Sequence, residues 1–198
     1  VPTITCPVDV TVTADAGICG ATGVALGTPT TTDNCSVGTV INDAVEPFAL
    51  GTTIVTWTVT DASGNTATCT QNVTVTDDEA PTIACPTDVV VTADPGVCEA
   101  TGVALGTPVT TDNCSVASVT NDAVEPYALG TTIVTWTVTD GSGNTMTCTQ
   151  NVTVTDDEVP TITCPTDVTV TADAGVCEAT GVALGTPVTT DNCSVASV

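Results

Sequence analysis

The chain has 198 residues, 23 of them acidic, and no lysine, arginine or histidine, for a net charge of −23. A chain without Lys or Arg cannot neutralise phosphates, which excludes nucleic acid and an anionic membrane surface. No apolar run approaches the ~20 residues that cross a bilayer, so membrane insertion is excluded for this stretch, and 11 cysteines point to an oxidising compartment.

The first predicted element is a strand beginning at Thr3. Ile4, Cys6, Val8, Val10, Val12 and Ala14 fall on one face, and Thr3, Thr5, Asp9, Thr11, Thr13 and Asp15 on the other. Further along, Ile54-Val55-Thr56-Trp57-Thr58-Val59-Thr60 alternates apolar residues with threonine. So does Thr66-Ala67-Thr68-Cys69-Thr70-Gln71-Asn72-Val73-Thr74-Val75-Thr76, and such alternation in β-branched residues marks half-buried strands. Asp61-Ala62-Ser63-Gly64-Asn65 lies between them as a turn closing a hairpin. No segment carries a helical period. The next stretch, Asp77-Asp78-Glu79-Ala80-Pro81, sets three acids before a proline and a new short strand with a cysteine, and it recurs as Asp156-Asp157-Glu158-Val159-Pro160.

The recurrence gives the organisation. Pro2, Pro81 and Pro160 are spaced by 79 residues, and the cysteines keep the same step: Cys6, Cys85, Cys164; Cys19, Cys98, Cys177; Cys35, Cys114, Cys193; Cys69, Cys148. Residues 1–79 form one repeat, 80–158 a second, and 159–198 the first half of a third. Ending in mid-repeat reads as a window cut from a longer array, and a first residue that is Val leaves no initiator Met or signal peptide in view. Each complete repeat has two aromatics, Phe48 and Trp57 or Tyr127 and Trp136. A core this small benefits from staples. Within a repeat the cysteine gaps are 13, 16 and 34 residues, with no close pair and no histidine, which favours disulfides over structural zinc. About 80 residues of short antiparallel strands predict a small Ig-like β-sandwich. The fold class is therefore all-β, tandem Ig-like sandwiches with two disulfides per repeat.

Three blocks carry a family resemblance: Thr3-Ile4-Thr5-Cys6-Pro7-Val8-Asp9, then Asp33-Asn34-Cys35, then Leu50 to Cys69 with its Gly-Thr-Thr-Ile-Val-Thr-Trp run. In this order and spacing the sequence resembles the hyalin repeat (HYR) domain, over both complete repeats and the available half of the third. The resemblance implies an Ig-like sandwich in secreted or cell-surface proteins, serving adhesion or spacing, without enzymatic activity. Gln71 and Gln150 depart from the family pattern, which usually has an aromatic there, and leave an inward polar group without an evident partner.

Four cysteines allow three pairings. Cys6 and Cys69 both point inward and fall at the same end of an Ig-like sandwich, a pair that two-cysteine members of the family also keep. Cys6–Cys69 and Cys85–Cys148 are expected accordingly. The remainder is Cys19–Cys35, Cys98–Cys114 and Cys177–Cys193, although a simple Ig trace puts these partners at opposite ends of a strand, beyond the ~7 Å Cα limit for a bridge. On this scheme Cys164 is odd.

With no side-chain cation available, the acidic joint either stays hydrated and self-repelling or takes a metal. At an Ig-type junction, Asp77, Asp78 and Glu79 arrive beside the loops Thr111-Asp112-Asn113 and Asp140-Gly141-Ser142-Gly143-Asn144. Asp112, Asn113, Asp140 and Asn144 then add oxygens of the kind Ca²⁺ collects, six to eight at a time. Asp156, Asp157 and Glu158 with Asp191 form the equivalent set at the next joint. The plainer alternative is solvated acids that serve solubility. Sequons place candidate N-glycans at Asn34, Asn72, Asn113, Asn151 and Asn192, with Asn72 and Asn151 outward. Catalysis is not expected: no His, Lys or Arg is present to activate a nucleophile, and without lysine no Lys–Asn crosslink can form.

Two functional readings follow. One is an extracellular fibre, filament or stalk of rigid modules, calcium at its joints, whose partners are copies of itself end to end or laterally. The other is the spacer of a calcium-dependent surface adhesin with its binding tip elsewhere.

Overall fold

A computed structural model describes residues 1–197. It is all-β, with no helix among the described residues. The first repeat supplies β1 (Thr3–Thr5), β2 (Val10–Thr13), β3 (Gly20–Ala21), β4 (Thr30–Thr32), β5 (Val37–Asn42), β6 (Phe48–Ala49), β7 (Gly51–Asp61) and β8 (Thr66–Thr76). The second supplies β9 (Thr82–Ala84), β10 (Val89–Thr92), β11 (Glu99–Ala100), β12 (Val109–Thr111), β13 (Val116–Asn121), β14 (Tyr127–Ala128), β15 (Gly130–Asp140) and β16 (Thr145–Thr155). β17 (Thr161–Thr163) and β18 (Val188–Thr190) follow.

Two compact units result, and their bounds do not follow the sequence period. One comprises Val1–Cys85, Pro108–Asn121 and Trp136–Cys148; the other Pro86–Thr107, Asp122–Thr135 and Thr149–Val198.

In the first unit, β7 and β8 form the long hairpin their alternation predicts, in register from Gly51↔Val75 to Thr60↔Thr66. β2 joins β8 in parallel and β5 joins β7 antiparallel, giving a four-stranded sheet in the order β2-β8-β7-β5. The pairs β1-β4 and β3-β6 stand apart from it. Val55, Trp57, Val73 and Val75 from the sheet pack with Ala21 and Phe48, with Ile4, Val12 and Leu26 at the margin. The turn is locked by Asp61, whose carboxylate accepts the N–H groups of Ser63 and Asn65 and the Asn65 side-chain amide, while Gly64 takes the left-handed conformation at φ 86°.

The continuous first strand expected from Ile4 to Ala14 is broken in two. β1 pairs with β4 and β2 with β8. Pro7 has no N–H for a ladder, and the chain changes layers there. Val8, expected inside, is 84% exposed. Asp9 anchors the crossing by accepting the backbone N–H and side-chain amide of Asn72. Those bonds hold its carboxyl below the usual range against a small cost of burial.

Gln71 has partners. It is 1% exposed. Its Oε1 accepts the Trp57 indole N–H at 3.0 Å, and its Nε2 donates to the carbonyls of Val8 (2.6 Å) and Leu26 (3.0 Å). Gln150 repeats the arrangement, donating to the carbonyls of Thr87 and Leu105. The glutamine fastens two loop segments to the core of the sandwich through their main chain.

In the second unit Ala100, Tyr127, Val134, Val152 and Val154 are buried. The Tyr127 hydroxyl is buried without a hydrogen-bond partner. The first repeat has Phe48 at the equivalent place. Tyr127→Phe should therefore raise stability by about 1 kcal/mol, the relief of an unpaired buried hydroxyl, read from denaturant midpoints. Burial, and after it the charges of Glu125 and Asp122, push the Tyr127 pKa above 10.0. The unfolded chain ionises first. The stability is thus intact below pH ~10 and lost as pH rises through the folded pKa, and Tyr127→Phe should remove that alkaline loss.

Candidate metal centre

The first acidic joint lies wholly inside the first unit. β8 delivers Asp77, the turn after β12 delivers Asp112, and the end of β15 delivers Asp140. One carboxylate oxygen from each lies within 4.8 Å of the others. Asp77 and Asp140 are 8% and 2% exposed. Like charges this close repel one another, and no basic side chain exists to offset them.

Each carboxylate is aimed by its local turn. Asp112 Oδ2 accepts the N–H groups of Cys114 (2.9 Å) and Ser115 (2.7 Å), while its Oδ1 is buried without a partner. Asp140 Oδ1 accepts the N–H groups of Ser142 and Asn144, and Oδ2 the Asn144 amide at 2.7 Å. Burial works against ionisation of Asp140, but Asn144 and the turn N–H groups outweigh it and hold the carboxyl below its usual range. The stability that these bonds lend is present above pH ~3.8 and lost as pH falls through the lower folded pKa. Asp77 accepts the Glu79 N–H and the Asn113 amide on Oδ1 and the Ser142 hydroxyl on Oδ2. Asn113 keeps a buried Oδ1 without a partner. Three converged carboxylates, that of Asp112 with an orphaned oxygen, and the orphaned Asn113 oxygen beside them form a donor set that fits a hard divalent cation.

The remaining residues singled out at this joint are placed differently. Asp78 is exposed and outside the group of three. Glu79 turns away to accept the Gly17 N–H at 2.8 Å. Asn144 presents its amide N–H groups, bonding Asp140 and the carbonyls of Asp77 and Glu79, so it braces the joint. At the second joint, Asp156 accepts the Glu158 N–H, Glu158 accepts the Gly96 N–H, and Asp191 accepts those of Cys193 and Ser194. Asp157 is exposed. Ser142 was not singled out by sequence reasoning, and its place in the turn between two glycines carries no signal for a carboxylate partner.

The cysteines bring a correction. Cys6–Cys69 and Cys85–Cys148 are bonded, each across 63 residues. Cys19 is bonded to Cys114 rather than Cys35, and Cys98 to Cys193 rather than Cys114. Cys177 is not joined to Cys193; it, Cys35 and Cys164 are free and exposed. The reason is where the loops lie. The Cys19 loop sits at the end of its repeat, where Ala14 donates to the Thr76 carbonyl and Gly17 to Glu79. The Asp112–Cys114 turn sits at the start of its repeat, beside Asp77. The two cysteine types are at opposite ends of one repeat and meet between successive ones.

The sequons divide in two. Asn72 and Asn151 are exposed, but their side-chain amides are bonded to Asp9 and Asp88. Asn34 is exposed, its amide 3.6 Å from the Cys35 sulfur. Asn113 and Asn192 are partly buried and donate to the carbonyls of Ile18 and Val97, bonds that a glycan would break.

Comparison with known proteins agrees with the repeat pattern. The HYR domain family model matches residues 1–75 and 76–154. A hyalin of Strongylocentrotus purpuratus is 31% identical over 133 residues, 63% of this chain and 11% of that protein. A hyalin of Lytechinus variegatus is 32% identical over 168 residues, 76% of this chain and 30% of that protein. The chain thus spans less than a third of the length of either. Among solved structures, the protocadherin GammaB4 extracellular domain aligns over 84% of this chain and 35% of its own at 15% identity, with a TM-score of 0.44. Human CDH23 EC21-23 aligns over 96% and 80% at 15% identity and a TM-score of 0.39. The likeness to both is loose.

Proposed function

The chain belongs to the HYR domain family, its tandem disulfide-bonded repeats are extracellular, and from that premise we propose that it serves as a structural array, a fibre or stalk of β-sandwich modules stiffened by calcium. The observation that carries the reading is the meeting of Asp77, Asp112 and Asp140 within 4.8 Å in a chain without a basic side chain. A calcium ion held by these carboxylates, with Asn113 beside them, would turn repulsion at the joint into shared ligation. The near-identity of the repeats supports a structural over a catalytic role, because no copy is singled out by a distinct loop; partners are then other copies, with glycans at the exposed sequons. Repeats bounded 1–79, 80–158 and 159–198 are the modules of this array.

Calcium at 100 times its Kd would add about 2.7 kcal/mol, which at ~2–4 °C per kcal/mol for 150–250 residues predicts a rise in Tm of about 5–10 °C. Asp112→Asn should abolish most of it. A Tm that moves by less than ~1 °C on calcium addition would discard the metal. Electron microscopy of native material, before and after chelation, tests the array: straight rods that become limp support it. Short flexible particles in both states would favour an adhesin spacer.

A further inference from the structure

We propose that Cys35 and Cys177 are matched halves of one repeat-to-repeat disulfide, and that each takes as partner the complementary cysteine of another repeat of this kind. The two bonds already formed state the rule. Cys19–Cys114 and Cys98–Cys193 each join the loop cysteine of one repeat to the turn cysteine of the next, across 95 residues in both cases, with Cα–Cα distances of 4.6 and 4.7 Å. Cys35 is a turn cysteine and Cys177 a loop cysteine, and both are free and exposed.

Their settings match those of the bonded ones. Asp33 accepts the N–H groups of Cys35 and Ser36, as Asp112 does for Cys114 and Ser115 and Asp191 for Cys193 and Ser194. At the other end, Val176 donates to the Asp173 carbonyl as Val97 does to Asp94 and Ile18 to Asp15. Further contacts accompany each bond. Asn113 donates to the Ile18 carbonyl and Asn192 to that of Val97, while Glu79 and Glu158 hold Gly17 and Gly96. Cys35 and Cys177 are therefore presented in the conformations that bond elsewhere in the same molecule. Closure removes two protons and two electrons from the two thiols. A small disulfide such as glutathione disulfide accepts them and leaves as two thiols. The inference rests on the tandem-repeat reading and not on calcium, so it is tested in the presence of a chelator.

The test uses the 198-residue chain with Cys164→Ser, which removes the third exposed thiol, oxidised by glutathione disulfide. The expected result is head-to-tail multimers on a non-reducing gel, with peptides linking Cys35 to Cys177 at least tenfold more abundant than Cys35–Cys35 or Cys177–Cys177. Adding Cys35→Ser or Cys177→Ser should leave monomers, and mixing these two variants should give dimers and nothing larger. A second chain, lengthened by repeating residues 120–198 after Val198, offers Cys177 a partner in its own chain. There, in the monomer band, Cys177 should resist alkylation while Cys35 stays reactive. Closure in the lengthened chain alone would support the pairing and assign the partner to the same chain. Both thiols remaining alkylatable in both chains, or symmetric links dominating, would overturn the proposal.

Discussion

Replacing Gln71 with leucine should lower the stability of the first repeat by about 3–5 kcal/mol, although the change puts an apolar residue into an apolar core. The glutamine is 1% exposed and satisfies three groups at once: the Trp57 indole N–H and the carbonyls of Val8 and Leu26. Leucine satisfies none of them. A buried donor or acceptor left without a partner costs ~1–3 kcal/mol. The indole N–H is buried, whereas the two carbonyls are only part-buried and recover some hydration, so the sum falls toward the lower end of its range of ~3–9 kcal/mol. Denaturant unfolding followed by far-ultraviolet circular dichroism, a signal that does not depend on either tryptophan, measures it. Adding Trp57→Phe to Gln71→Leu removes the orphaned N–H and should restore about 1–2 kcal/mol. A loss below ~1 kcal/mol for Gln71→Leu would show that the three bonds are not what fastens the loops.

Gln71 also shows what is legible in such a sequence. Alternation around Trp57, Cys69 and Val73 places the long hairpin, because a two-residue period is a local property of the chain. The glutamine's inward position was equally plain. Its partners were not: they are main-chain carbonyls 63 and 45 residues away, and every residue has such a carbonyl. The acids divide in the same manner. Their recurrence marks Asp77, Asp112 and Asp140, but nothing local distinguishes Asp77, which enters the cluster, from Asp78, which stays in solvent, or Glu79, which is drawn off by the Gly17 N–H. The cysteines are ambiguous for another reason. With a period of 79 residues, bonding within a repeat and bonding to the next one use the same residue types at the same recurring positions. Only the placement of the Cys19 loop and the Cys114 turn at opposite ends of their repeats decides between them.

Removing Cys19–Cys114 by a Cys19→Ser, Cys114→Ser double variant should cost up to about 4.7 kcal/mol, the chain-entropy value for a loop closed across 95 residues. Cys6→Ser with Cys69→Ser, which opens a loop across 63 residues, should cost almost as much, up to about 4.3 kcal/mol. Stability alone barely separates them; their effect on the metal centre does. Cys114 follows Asp112 and Asn113 directly, and its own N–H is one of the two that aim the Asp112 carboxylate. With Cys19 bonded, that turn is held against the loop whose Ile18 carbonyl takes the Asn113 amide. Without the bond, calcium binding has to order the turn as well as fill the site, and the cost appears as lost affinity. The Cys19/Cys114 variant should bind calcium at least tenfold more weakly than the parent chain by titration calorimetry. The Cys6/Cys69 variant should stay within about twofold, since its bond does not touch the turn. Equal losses in both would mean that the disulfides act on the fold as a whole. A loss confined to Cys19/Cys114 would mean that the covalent link and the ion secure one joint together, each making the other's task easier.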